Sequence, residues 1–316
     1  MLDAMLRWLA VVAIGCGSDA AHDVVAAPAP AAHPIDARPA WRSCLLDGKS
    51  PCLSPAPVSV RHGVLAWSDW LMGFGQQHEP NDETECRWVA ELPSVLLCAS
   101  YDKSAMNAML TRASIFIEGL QVAAGTVVAR DSGVYRSNVS SIGGFDLLKR
   151  HPSGKHPDLV SYYAALDRAC AKDRALCADA PEQAIREVLE RAWADKPAFV
   201  VVTFACRGTV PDDMVISHEL LHGQYFTDPA FRAVIDDYWA SLAERDRAAV
   251  RELLGRLYDA HDDELMRNEL QAYALMSGAE STVFSAVVDP HRAALLDALR
   301  ARHIEPIQTE LRRAQP

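Results

Sequence analysis

After its first two dozen residues the 316-residue chain contains no apolar run of the roughly 20 residues needed to span a bilayer, so no membrane-spanning helix is expected there. Positive charge is also scarce: 31 Lys plus Arg stand against 42 Asp plus Glu, a formal net charge of -11. A scattered acidic surface repels phosphate backbones, which argues against a nucleic-acid partner. Glycine and proline, at 16 and 18 residues, are far too few for collagen-like or low-complexity chains. No internal repeat occurs at solenoid periods. What remains is a globular chain, 50% hydrophobic, long enough for one large core or two small ones.

The beginning of the chain has the order of an export signal. Met1 to Cys16 reads MLDAMLRWLAVVAIGC, with one Arg, the apolar run Trp8 to Ile14, then Gly15 and Cys16. It resembles a bacterial lipoprotein signal, with Ala13, Ile14 and Gly15 in the cleavage box, although the family prefers Leu where Ala13 stands. The resemblance implies removal of residues 1–15, lipidation of Cys16 and a membrane-tethered protein in the periplasm or on the cell surface. Residues 16–40 form an Ala/Pro tract with almost no large apolar side chain, as expected of a disordered tether.

Six of the seven other cysteines fall into close pairs, Cys44 with Cys52, Cys86 with Cys98 and Cys170 with Cys177. Short loops of this kind suit disulfides formed in an oxidising compartment. Cys206 is left over. It can be a small buried hydrophobe, a metal ligand or half of an unforeseen disulfide.

Residues 41–101 are rich in Pro, Trp and Cys and read as a loop-rich N-terminal region with a few strands, such as Ser94 to Ala99. At the start of the second region, 102–316, the apolar spacing predicts a helix over Ser104 to Ala124, closed by Gly125. Thr126 to Ala129 and Val134 to Ile142 read as strands, Asp158 to Lys172 and Pro181 to Ala194 as helices, and Phe199 to Phe204 as a buried strand. From Asp212 onward the pattern is helical. The fold class is α+β, with a small mixed sheet and a mainly helical C-terminal half.

Val215 to Gly223 reads VISHELLHG. His218 and His222 are one helical turn apart, so both imidazoles leave the same face and can close on one ion. Zinc favours neutral imidazole in a tetrahedral shell. Glu219, about 100° round the helix, can reach a water beside that ion and act as general base. The uncharged residues around the pair make a solvated surface helix implausible; the alternative is a buried polar cluster without metal.

A third ligand is required, and none follows His222 at the short spacing of metzincins. On the helix Glu264 to Ser277, Glu269 lies within the apolar stripe Leu265, Met266, Leu270, Ala272, Tyr273 and Met276, whereas Glu264, Asn268 and Gln271 fall on the other side. A carboxylate in a core-facing stripe is costly unless paired or bound to a cation. A salt bridge to Arg267 or another basic residue is the alternative.

The stretch from Phe199 to Ser277 resembles the zincin metallopeptidases, and NELQAY around Glu269 resembles their gluzincin branch, in which a downstream Glu is the third ligand. Gln224 departs from the usually apolar position after Gly223. The resemblance implies one Zn2+ per chain on His218, His222 and Glu269, hydrolysis of a peptide or protein substrate with Glu219 as base, and an edge strand before the HExxH helix, a place FVVVTF can fill unless it is a core strand. It also implies an oxyanion-stabilising Tyr or His. Tyr258 and His261 are the candidates, with Tyr225 and Tyr273 behind them. His62, His78, His151, His156, His291 and His303 have no spacing partner and read as surface or loop residues. Two other functions remain open: a non-catalytic zincin-like binding lipoprotein, and a zinc amidohydrolase acting on cell-wall material.

Overall fold

Three consecutive valines, Val200, Val201 and Val202, are each at most 1% exposed, because the strand that carries them is covered on both faces. The structure, a computed structural model, describes residues 58–65, 84–100, 103–119, 121–139, 144–196, 200–205, 213–276 and 285–307. Its strands are β1 (Val58–Leu65), β2 (Thr84–Val89), β3 (Val95–Ser100), β4 (Gly144–Leu148) and β5 (Val200–Ala205). They form one mixed sheet in the order β1-β2-β3-β5-β4. β5 runs parallel to β3 and antiparallel to β4. The strand preceding the HExxH helix is therefore interior, and the edge position expected for FVVVTF belongs to β4. Uninterrupted burial from Val200 to Thr203 is the physical reason, since an edge strand between one core face and solvent would alternate.

Side chains alternate between two cores across the sheet. One contains Leu96, Cys98, Phe145, Leu147 and Val201, covered by α1 (Lys103–Glu118), α3 (Leu159–Lys172) and α4 (Ala180–Asp195). The other contains Val95, Leu97, Ala99, Leu148, Val200 and Val202, covered by the helical half of the chain. That half comprises α5 (Asp213–Thr227), α6 (Pro229–Ser241), α7 (Glu244–Leu254), α8 (Asp263–Leu275) and α9 (Ser285–Ala301). Among the described residues no helix is long and apolar enough to cross a membrane. Because β3 lies between β2 and β5, the sheet draws on both sides of Tyr101.

Local chemistry sets the helix ends. Asp158 accepts from the Ser161 amide while Ser161 Oγ accepts from the Asp158 amide, a reciprocal cap on α3; Asp179 and Glu182 do the same for α4. α1 stops at Glu118 rather than near Gly125, because Gly119 turns into the left-handed region at φ 72. Val134 to Ile142, expected as a strand, is helical over α2 (Gly133–Val139), where Ser132 Oγ accepts from the Tyr135 amide and Tyr135 is buried against Ile115 and Val128. The cap and this burial outweigh the strand preference of the two valines. Thr126 to Ala129 joins no ladder; its amide at Thr126 closes a turn on Ala123 instead.

Two of the expected disulfides are present. Cys86–Cys98 joins directly opposed positions of β2 and β3, and Cys170–Cys177 ties the end of α3 to the turn after it. Cys16, the pair Cys44 and Cys52, and Cys206 lie outside the described residues. Beneath that turn Arg112, 1% exposed, pairs with Glu182 at 3.1 Å and donates to the carbonyls of Leu176 and Cys177.

Candidate metal centre

α5 lies flat on the sheet through Ile216, Leu220 and Leu221, all fully buried. Gly223 allows the contact: a Cβ there would stand 3.0 Å from Val95 Cγ2. With that face committed to the sheet, the turn from His218 to His222 faces α8, which packs against α5. The Nε2 atoms of the two histidines are 3.0 Å apart. From α8, Glu269 places Oε2 3.6 Å from His218 Nε2 and Oε1 3.7 Å from His222 Nε2.

These residues can hold a metal ion. Their donor separations bracket the edge of about 3.3 Å that bonds of about 2.0–2.1 Å to one tetrahedral ion would give. His222 and Glu269 are 1% and 4% exposed, and among the described residues Glu269 Oε2 and His218 Nδ1 have no hydrogen-bond partner. A buried carboxylate oxygen left bare is costly without a cation. Burial depresses both imidazoles to about 4, which keeps them neutral and able to ligate. Burial also raises Glu269, opposed by His222 and by a hydrogen bond from Tyr258. The salt bridge to Arg267 does not form: Arg267 pairs with Asp236 at 2.8 Å and donates to Tyr225 Oη at 2.9 Å, which removes Tyr225 from the centre as well.

Glu219 sits against the edge strand. A Cβ on Gly144 of β4 would stand 2.7 Å from its Cγ and Oε1, so only glycine lets the carboxylate lie there undisturbed. Its protonation is favoured by burial and then by Glu269 and Glu118. Tyr258, in the turn after α7, has its hydroxyl 3.4 Å from that of Tyr273, whose ring is 4.5 Å from the His218 ring. Both tyrosines therefore belong to the centre. His261 does not; it is exposed, with its amide donating to Asp259 Oδ1, because the tight turn before α8 directs it outward.

Two carboxylates at the centre were not anticipated. Asp146 of β4 falls opposite Phe145 and Leu147 in the strand alternation and gathers with Glu219 and His222. Glu118, the last residue of α1, accepts from Ser114 Oγ at 2.9 Å and is pushed up to about 8, chiefly by burial. Both line a cavity of about 420 Å³ that reaches the centre at Tyr258, Asn268 and Glu269. The period-two pattern GFDLL was the available signal for Asp146; nothing local marks Glu118.

α8 is buried nearly all round, Asn268 and Gln271 included, so its polar face is not a solvated one. Gln224, the departure from the zincin signature, is 5% exposed and clamps the C-terminal segment by donating to Glu305 O at 3.0 Å and accepting from Ile307 N at 2.9 Å. His291 is buried against Tyr238 rather than exposed, with its Nδ1 2.8 Å from the hydroxyl, whereas His303 is exposed as expected. No family model, curated protein or solved structure matches the chain.

Proposed function

We propose that this is a zinc-dependent peptide hydrolase of the gluzincin type, with His218, His222 and Glu269 as the metal ligands. The observation that carries it is the bare, buried oxygen of Glu269 facing two neutral imidazoles, with a second carboxylate, Glu219, next to them. A zinc ion held by these residues would supply Lewis acidity, polarising a carbonyl and acidifying water. Glu219 then takes the proton from the attacking water and delivers it to the leaving amine as the C–N bond breaks. Burial raises Glu219 above the usual carboxylate range, which suits a group that must both accept and return a proton near neutrality. Tyr273 is held protonated by burial and would donate to the developing oxyanion, an interaction of about 2.7–4 kcal/mol, while Tyr258 donates its hydrogen bond to Glu269.

Substrate docking falls to β4. Among the described residues it is paired only to β5, and an extended peptide can add to its open side. The acidic cavity beside it accommodates the substrate's flanking residues. With the signal-like N-terminus and two disulfides, the enzyme is exported and tethered through a lipid on Cys16.

The test is to express the full chain with export to an oxidising compartment and measure metal by elemental mass spectrometry. Parent, His222→Ala and Glu269→Ala are compared, and a peptide library is screened with Glu219→Gln as the inactive control. One equivalent of zinc lost in both variants, with peptide cleavage abolished by Glu219→Gln, is expected. Zinc without cleavage of any peptide would leave a binding lipoprotein, release of peptidoglycan fragments alone would give an amidohydrolase, and a parent chain without metal would end the hydrolase reading.

A further inference from the structure

A second group of metal-ligating side chains lies on the far side of the same cavity, where the chain leaves the edge strand. Between β4 and α3 the loop presents His151 and His156, and Glu264 meets them from the first turn of α8. His151 Nε2 is 3.7 Å from Glu264 Oε1, and His156 Nε2 is 3.7 Å from Glu264 Oε2. The separations are too long for hydrogen bonds and close to those between the donors of the centre described above. His151 and Glu264 are 7% and 14% exposed, His156 35%. The two rings face each other at 4.5 Å between centroids, and Phe226 closes the apolar side of His151.

We propose that His151, His156 and Glu264 form a second divalent-cation site, with the two-nitrogen, one-oxygen donor set that suits zinc. Supporting partners aim these donors as ligand-orienting groups do in metal sites. Ser153 Oγ lies 2.8 Å from His151 Nδ1, which directs Nε2 of that ring toward Glu264. Asp262 Oδ2 lies 3.2 Å from His156 Nδ1 and directs that ring's Nε2 in the same way, while Asp262 Oδ1 caps α8. Backbone hydrogen bonds hold the loop: Gly154 N donates to His151 O, and His151 N to Asp158 Oδ2. Arg232 also reaches Glu264 Oε1, at 2.5 Å, and among the described residues no arginine pairs with Oε2.

An ion here joins the loop after β4 to the helix that carries Glu269. It braces the strand at the cleft against the ligand helix. The sites share no residue, so this one does not depend on the hydrolytic reading.

The experiment counts Zn2+ bound by the full chain after gel filtration and follows the visible spectrum on Co2+ substitution. Parent, His222→Ala, His156→Gln and the double variant are compared. Expected are two equivalents in the parent, one in each single variant and none in the double variant, with the Co2+ spectrum of His222→Ala lost on adding His156→Gln. A count that His156→Gln leaves unchanged on the His222→Ala background would overturn the site. A parent that loses metal with His156→Gln but not with His222→Ala would uphold this site and remove the first. The partly exposed ring of His156 has little packing to lose, and Glu264→Gln gives the same readout from the other side of the site.

Discussion

Gly144 leaves room for Glu219 at the candidate metal centre, and Gly144→Ala turns that space into a measurement. The added Cβ would stand 2.7 Å from Glu219 Cγ and Oε1 and 2.9 Å from its Cδ. Ordinary carbon contacts lie near 3.5 Å, so the carboxylate must retreat by roughly 0.7–0.8 Å. The retreating end is a flexible side chain, and removing a glycine restricts the unfolded chain by about 0.4–1 kcal/mol in the native state's favour, so stability should change by less than about 1 kcal/mol. His218, His222 and Glu269 are untouched, so zinc content should match the parent. A reacting group misplaced by about 1 Å costs on the order of 100-fold in rate, which sets the expectation: kcat down about 10- to 100-fold, KM nearly unchanged. The assay is steady-state cleavage of the best library peptide, beside Glu219→Gln, where removal of the base should cost about 100- to 10,000-fold. Wild-type kcat in Gly144→Ala with an inactive Glu219→Gln would refute the proposed placement of the base, and loss of zinc in Gly144→Ala would refute the separation of base from ligands.

Other predictions follow from the same burial. Glu269→Leu should abolish metal binding at His218 and His222 yet leave the metal-free protein as stable as the metal-free parent or more so, because a buried carboxylate is replaced by an apolar group; thermal melts in chelator read this directly. Between pH 6.5 and 8 the metal-free protein should lose stability. His218 and His222, depressed to about 4, are neutral in the folded chain throughout and shed protons from the unfolded chain only near the lower end, a smaller opposing effect, whereas Glu118 is raised to about 8, so its stabilising proton is lost as pH rises. The loss from Glu118 alone is on the order of 1 kcal/mol, and saturating zinc should reverse the trend, since its ligands bind better deprotonated; a metal-free Tm that climbs over this interval would contradict the assignment. Arg112→Ala should cost about 1–3 kcal/mol in urea titrations by taking the donors from the Leu176 and Cys177 carbonyls, while Arg130, 3.8 Å away, stays paired with Glu182.

Much of the centre was legible because helical chemistry is local. The spacing of His218 and His222 is fixed by one turn of α5, and Glu269 stands out as a charge among apolar neighbours on α8. The face assigned to Glu269 was nonetheless only half of the picture: Asn268 and Gln271 are buried too, since α8 is surrounded by α5, α6, α7 and α9, and a one-sided stripe is the signature of a helix with one neighbour. Sheet order was not legible, because an interior strand and a strand lining a cleft can share the apolar run FVVVTF. Asp146 went unseen for a related reason: the strand expected at Val134 to Ile142 is helix α2, and the true edge strand begins at Gly144. His151, His156 and Glu264 meet only through the packing of the loop after β4 against the start of α8, more than a hundred residues later, and no local period encodes that meeting.

Four carboxylates, Glu118, Asp146, Glu219 and Glu269, converge on two neutral imidazoles, and burial raises every one of them above its ordinary range. In a fold selected for stability alone such a cluster would be replaced by apolar groups, as the costs of buried charge require. The surrounding architecture instead invests in holding it: Gly144 clears space for Glu219, Gly223 brings α5 onto the sheet, and Tyr258 fixes Glu269. A cation offsets repulsion among buried carboxylates more directly than protonation does, and it needs only Glu269 and the histidines as ligands. That leaves Glu219, Asp146 and Glu118 as the groups able to hold protons where the cavity meets the edge strand, which is where a hydrolase needs them.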